Sequence, residues 1–262
     1  MMQLLFLFMS SMDLRNKVAI VTGAGGTVGK DITKSLISEG CKVVINGRDV
    51  RKLNSLAREI GNKNNLLILP GDITKEGDVL NMIEQITNNY NKIDVLINNA
   101  GVINDPKSFH LTTHDEWLNL INVHIIGTLQ MTKAVLPLMI ENNEGCIINI
   151  ASTLATKAIP GVPLSIYGLT KGGIISFTKH VAVEYGQYGI RCNCIVPSTI
   201  RTPFLEPYLK DENAKKTLES SFPLERIGEP SDISNVILFL CSNKAKWITG
   251  AKIDIDGGIT AK

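Results

Sequence analysis

Val18-Ala-Ile-Val-Thr-Gly-Ala-Gly-Gly-Thr-Val-Gly-Lys30 joins an apolar run to a helical pattern through a turn containing four glycines. Val18 to Val21 has no polar residue at alternate positions, so both faces of this strand need covering. The turn that follows can fold sharply because glycine tolerates backbone angles closed to other residues. The helical stretch from Lys30 to Glu39 ends at Gly40, a residue suited to a helix terminus. A glycine-rich turn feeding a helix start presents free backbone amides and the positive end of the helix dipole, and so attracts phosphate. Taken alone, the same letters also describe an ordinary structural turn.

The alternation continues outward from this unit. Strands are predicted at Lys42 to Asn46, Leu66 to Leu69, Ile93 to Ile97, Cys146 to Ile150, Arg191 to Val196 and Lys252 to Ile255. Helices are predicted between them, at Asp49 to Ile60, Lys75 to Asn89, Thr113 to Glu141, Ser165 to Tyr185 and Pro230 to Cys241. Apolar strands separated by helices call for a parallel sheet covered on both sides, which makes the fold class α/β, a doubly wound parallel sheet of Rossmann type. We read residues 14–262 as one catalytic domain and residues 1–13 as an N-terminal extension. Its apolar run, Leu4 to Met9, is too short to span a bilayer and has no basic flank. The stretch from Ser198 to Arg226 is irregular, and reads either as a lid over substrate or as a surface excursion.

Composition excludes several classes of function. The 262 residues carry a net charge of +2 with no basic stripe, so nucleic acid is not an expected partner. Neither is a membrane. Five cysteines lie scattered in apolar segments, as expected of buried thiols in a reducing, cytoplasmic setting. Cys192 and Cys194 share a strand face but have no further ligands nearby, so no metal site is expected.

In Tyr167-Gly-Leu-Thr-Lys171 the phenol and the ammonium lie four residues apart on one helix face. A cation beside a phenol is expected to favour its ionisation and bring its pKa toward working pH. Ser152, at the end of the fifth strand, offers a hydroxyl to hold a substrate oxygen beside it.

With these residues in place the chain resembles the short-chain dehydrogenase/reductase family from about Leu14 to Gly258. The resemblance implies a catalytic set of Asn122, Ser152, Tyr167 and Lys171. Tyr167 would exchange the proton, Lys171 also grip the nicotinamide ribose, Ser152 position the reacting oxygen, and Asn122 support a water and proton relay. It implies a cofactor turn at Gly23, Thr27, Val28 and Gly29, with Thr27 where the family has its middle glycine. Asp72 and Ile73 would contact adenine. Asn99, Ala100 and Gly101, within Asn98-Asn-Ala-Gly101, would line the cofactor, and Pro197, Ile200 and Thr202 its nicotinamide end. Ser198 replaces a family glycine in that segment.

At the end of the second strand, Gly47 stands where an acidic residue would accept the ribose hydroxyls of NAD(H), and Arg48 follows it. A guanidinium there suits a ribose phosphate, so NADP(H) is the expected cofactor, with NAD(H) as the alternative. The expected function is hydride transfer between this cofactor and a small-molecule carbonyl or secondary alcohol. Both a 3-oxoacyl-carrier reductase and a sugar or polyol dehydrogenase fit, and a catalytically silent redox sensor is the reading from another class. The resemblance further implies a homotetramer built on the two long helices. His110, His114, His124 and His180 match no motif and read as surface or core residues.

Overall fold

The computed structural model describes residue 12 and residues 14–61, 63–203 and 205–262. The expected extension over 1–13 therefore lies, but for Met12, outside the described residues. Seven parallel strands form one sheet in the order β3-β2-β1-β4-β5-β6-β7. They are β1 (Val18–Val21), β2 (Lys42–Gly47), β3 (Leu66–Pro70), β4 (Val95–Asn98), β5 (Gly145–Ile150), β6 (Ile190–Pro197) and β7 (Lys252–Ile255). The connecting helices are α1 (Thr27–Ser38), α2 (Val50–Ile60), α3 (Glu76–Tyr90), α4 (His114–Ile121), α5 (Gly127–Glu141), α6 (Ser165–Tyr185) and α9 (Pro230–Cys241). The segment expected to be irregular holds two short helices, α7 (Glu206–Leu209) and α8 (Glu212–Glu219). Asp211 caps the second by accepting from the amides of Asn213 and Ala214.

Alternating strand residues divide the core into two layers. Ala19, Val21, Val43, Ile45, Ile97 and Ile148 face α1, α2 and α9, while Val18, Ile20, Val44, Leu96 and Ile147 face α3, α5 and α6. Each fully buried Ile or Leu contributes roughly 1.5–3 kcal/mol, so a one-residue register slip would forfeit a whole layer. The stretch His114–Glu141 is apolar enough for a membrane span, with a mean hydropathy of 1.4. Its Met131, Val135 and Met139 are buried against the sheet, so that apolarity serves the core.

The strand order reverses between β1 and β4, and the loops leaving their carboxyl ends diverge there to open a cleft. That divergence places the glycine turn, the Asn98–Gly101 segment and the end of β5 around one opening.

Candidate active site

The floor of the cleft is the turn between β1 and α1. Gly23 has φ +64°, and a Cβ there would lie 2.7 Å from Ala100 Cα. At Gly29 a Cβ would lie 2.4 Å from the Gly23 carbonyl oxygen, so neither glycine can be replaced without moving backbone. Gly26 caps α1 without any side-chain hydrogen bond, which leaves the first amides of the helix facing the opening. Asn99 ties the turn to β4: its Nδ2 donates to the carbonyls of Thr22, at 2.9 Å, and Gly23, at 3.2 Å. The Thr22 hydroxyl oxygen accepts from the amides of Asn99 and Ala100, both at 3.0 Å.

Two cavities follow from this frame. One, of about 730 Å³, runs from the glycine turn past Thr27 to Gly47, Arg48, Arg51 and Lys52. The other, of about 440 Å³, is lined by Ser152, Tyr167, Lys171, Pro197, Ile200 and His124 among others. Val28, Asn99, Gly101 and Thr202 line both, so the two form one continuous trough. Its length and its two ends suit a dinucleotide. A phosphate cradle of uncapped amides lies in the middle, three cations lie beside the end of β2, and a phenol and an amine lie at the other end.

At that far end, the Ser152 and Tyr167 side chains line the same cavity, and the Ser152 hydroxyl accepts from the Leu154 amide at 3.3 Å. Burial pushes the phenol up from its ordinary pKa, against a smaller opposing influence of the nearby Ser152 side chain. Lys171 is buried, donates to the Ile150 carbonyl at 2.9 Å and stands 5.7 Å from the centre of the Tyr167 ring. Burial lowers its pKa to about 8. The expected lowering of the phenol by the ammonium is therefore corrected: the amine donates to the end of β5, and desolvation is the largest influence on both groups.

Asn122 is not brought into the trough. The helix expected to run unbroken from Thr113 is interrupted by a π-turn over Asn122–Ile126, in which the Gly127 amide donates to the Asn122 carbonyl five residues back. Asn122 points to solvent, and His124, 1% exposed, is turned into the cavity instead. Its ring stands edge-on to that of Tyr167, with centroids 5.4 Å apart at 84°. The expectation that it is a surface or core residue did not foresee this aim, which a helix of constant pitch would not reveal.

Asp72 and Ile73 also stay off the trough wall. Asp72 accepts from the Thr74 amide and hydroxyl, and Ile73 packs against Gly127, where a Cβ would come within 2.5 Å of its Cδ1. Pro197, Ile200 and Thr202 do line the cavity. Ile200 is held by a parallel bridge to Gly228, which anchors the segment after β6.

A family model described as enoyl-(acyl carrier protein) reductase matches residues 23–260. The chain is 34% identical over 255 residues to 3-oxoacyl-[acyl-carrier-protein] reductase of Thermotoga maritima, covering 95% of this chain and 99% of that one. Among solved structures it resembles 3-ketoacyl-(acyl-carrier-protein) reductase from Brucella melitensis complexed with NADH, with TM-score 0.87 and 35% identity over 94% of this chain and 99% of that one. It also resembles gluconate 5-dehydrogenase from Burkholderia cenocepacia in complex with NADP and tartrate, with TM-score 0.87 and 27% identity over 96% and 99% of the two chains.

Proposed function

We propose that this chain, which belongs to the short-chain dehydrogenase/reductase family of oxidoreductases, is an NADP(H)-dependent enzyme that interconverts a carbonyl and a secondary alcohol, with Tyr167 as its acid/base. The observation that carries this reading is the continuity of the trough, which runs from the uncapped amides of the glycine turn to a cavity lined by Ser152, Tyr167 and Lys171. When bound, the nicotinamide supplies the hydride for reduction or takes it up in oxidation.

The chain's residues handle the proton and the oxygen. The Ser152 hydroxyl holds the carbonyl oxygen by a hydrogen bond that strengthens as negative charge develops there. Tyr167, kept protonated by burial, delivers its phenolic proton to that oxygen, and regains a proton from solvent afterwards. Lys171, close to Gly101 and bonded to the Ile150 carbonyl, donates in this reading to a ribose hydroxyl at the nicotinamide end. Arg48, assisted by Arg51 and Lys52 on the same wall, receives the ribose phosphate. Five buried thiols among the described residues support a reducing, cytoplasmic setting.

The wall facing Tyr167 is largely apolar, with Val102, Ile103, Leu205 and Ile233, which favours an acyl or alkyl ketone over a sugar. The test is turnover of 3-oxoacyl thioesters, simple ketones and sugars with both nucleotides. Reduction with NADPH is expected to be fastest on the oxoacyl compounds. Tight nucleotide binding with no turnover across the panel would replace this reading with that of a redox sensor.

A further inference from the structure

His124 is the one histidine among the described residues that is buried against the site, and its hydrogen bonds have a fixed direction. The Val102 amide can only donate, so at 3.1 Å from Nε2 it requires that nitrogen to carry the lone pair. The proton of the neutral ring therefore sits on Nδ1, 2.9 Å from the Thr170 hydroxyl oxygen. Thr170, fully buried, passes the direction on by donating to the Tyr167 carbonyl at 2.9 Å. Three bonds thus run one way, from the loop after β4, through the imidazole, to the backbone of the catalytic residue.

Gly101 lies under the same ring. A Cβ there would be 3.3 Å from His124 Nε2 and 3.7 Å from Lys171 Nζ. Moving the imidazole would thus disturb the loop that lines both cavities, the amine and the phenol together.

We propose that His124 is a positioning residue, locked as the neutral Nδ1–H tautomer, which couples the Gly101–Val102 loop to the first turn of α6 and so sets the distance between cofactor and phenol. The inference rests on the reductase reading for its catalytic consequence and on the hydrogen-bond chain for the coupling. A proton on Nε2 would face the Val102 N–H donor, so the ring cannot serve as an acid in this arrangement. Burial and the neighbouring Lys171 ammonium act in the same direction, taking the imidazole pKa down to about 3. On this account the relay that sequence resemblance assigned to Asn122 is replaced by a rigid strut.

The test uses the full-length protein labelled with ¹⁵N at histidine. The His124 resonances are expected to show a protonated Nδ1 and a bare Nε2, unchanged from about pH 5 to about pH 9. Thr170→Val, which does not touch Val102, is expected to speed exchange of the Val102 amide about tenfold, and Thr170→Ser to restore it. His124→Gln can still accept from Val102 but loses the link to Thr170. With NADPH affinity unchanged, it and Thr170→Val are each expected to lower kcat about tenfold or more, the double variant being no worse than either single one. A ring that titrates in this range, or a Val102 amide equally protected in Thr170→Val, overturns the coupling. A wild type that reduces no carbonyl, with tautomer and exchange as expected, overturns the reductase reading and leaves the coupling intact.

Discussion

Burial moves the pKa values of Tyr167 and Lys171 in opposite directions. Burial favours the neutral form of each, so the phenol keeps its proton and the amine loses its own more readily. Tyr167→Phe removes the transferable proton while retaining the ring that packs on His124. Stopped-flow turnover is expected to fall about 10²–10⁴-fold, with NADPH binding by fluorescence unchanged. A Phe variant of undiminished rate would remove Tyr167 from its role. The amine gives a pH signature of known sign. With its pKa lowered to about 8, Lys171 is an ammonium donor below that value and a neutral amine above it. Since kcat/KM reports the free enzyme, kcat/KM for NADPH is expected to be flat below about pH 8 and to decline as pH rises beyond it. Lys171→Arg, which stays charged, should carry the plateau to higher pH. A profile flat through pH 10 in the wild type would disconnect Lys171 from cofactor binding.

At the scale of elements, the end of β2 is where cofactor choice can be moved with least disturbance. A Cβ at Gly47 would meet only Leu53, at an ordinary 3.5 Å, so Gly47→Asp introduces a carboxylate without strain in the place where ribose hydroxyls are accepted. Paired with Arg48→Ala, it is expected to raise the KM for NADPH roughly 100-fold and to lower that for NADH, as steady-state rates with each nucleotide would reveal. Equal changes for the two nucleotides would show that this corner does not read the phosphate. Such placement was legible from letters because strand periodicity and glycine spacing are local. The bounds of α6 and α9 likewise coincide with those expected, since their apolar patterns are local to the helices themselves. The π-turn is different in kind. One extra residue in a turn rotates everything after it by about 100° relative to an unbroken helix, so α4 and α5 do not present the continuous face that one regular helix would. No residue in Asn122 to Ile126 announces this change. The π-turn and α4 both pack against α6, contacts that local spacing does not encode. Helix α1 also starts three residues earlier than expected, because Gly29 sits inside its first turn, where only close approach to Gly23 calls for a glycine.

Across the whole molecule, two layers of helix on one parallel sheet followed from hydrophobic patterning, whereas surfaces that meet other molecules did not, since periodicity marks what is buried within a chain and is silent on what is covered between chains. The face made by α3, α5 and α6 carries exposed apolar side chains. Leu80 is 57% exposed and Leu129 37%, beside a depression of about 760 Å³ that is also lined by Pro137, Phe177 and Val181. Apolar side chains gathered in this way on the outer helices call for a covering partner. A second copy of the same chain fits the expected homotetramer, because a two-fold axis would set each depression against its equivalent. Helix α6, which carries Tyr167 and Lys171, would then be buttressed from outside as well as by the sheet. Light scattering is expected to give the mass of four subunits. Leu129→Glu, which would bury an unpaired carboxylate in that contact, should lower the mass to that of smaller species while the circular dichroism of each subunit is retained. Thermal stability should become dependent on protein concentration where dissociation competes with unfolding. Turnover per subunit should fall on dilution along with the mass, since the buttress on α6 is lost. A wild type that runs as one subunit at micromolar concentration, fully active, would show that this apolar face needs no partner for the site to be held in place.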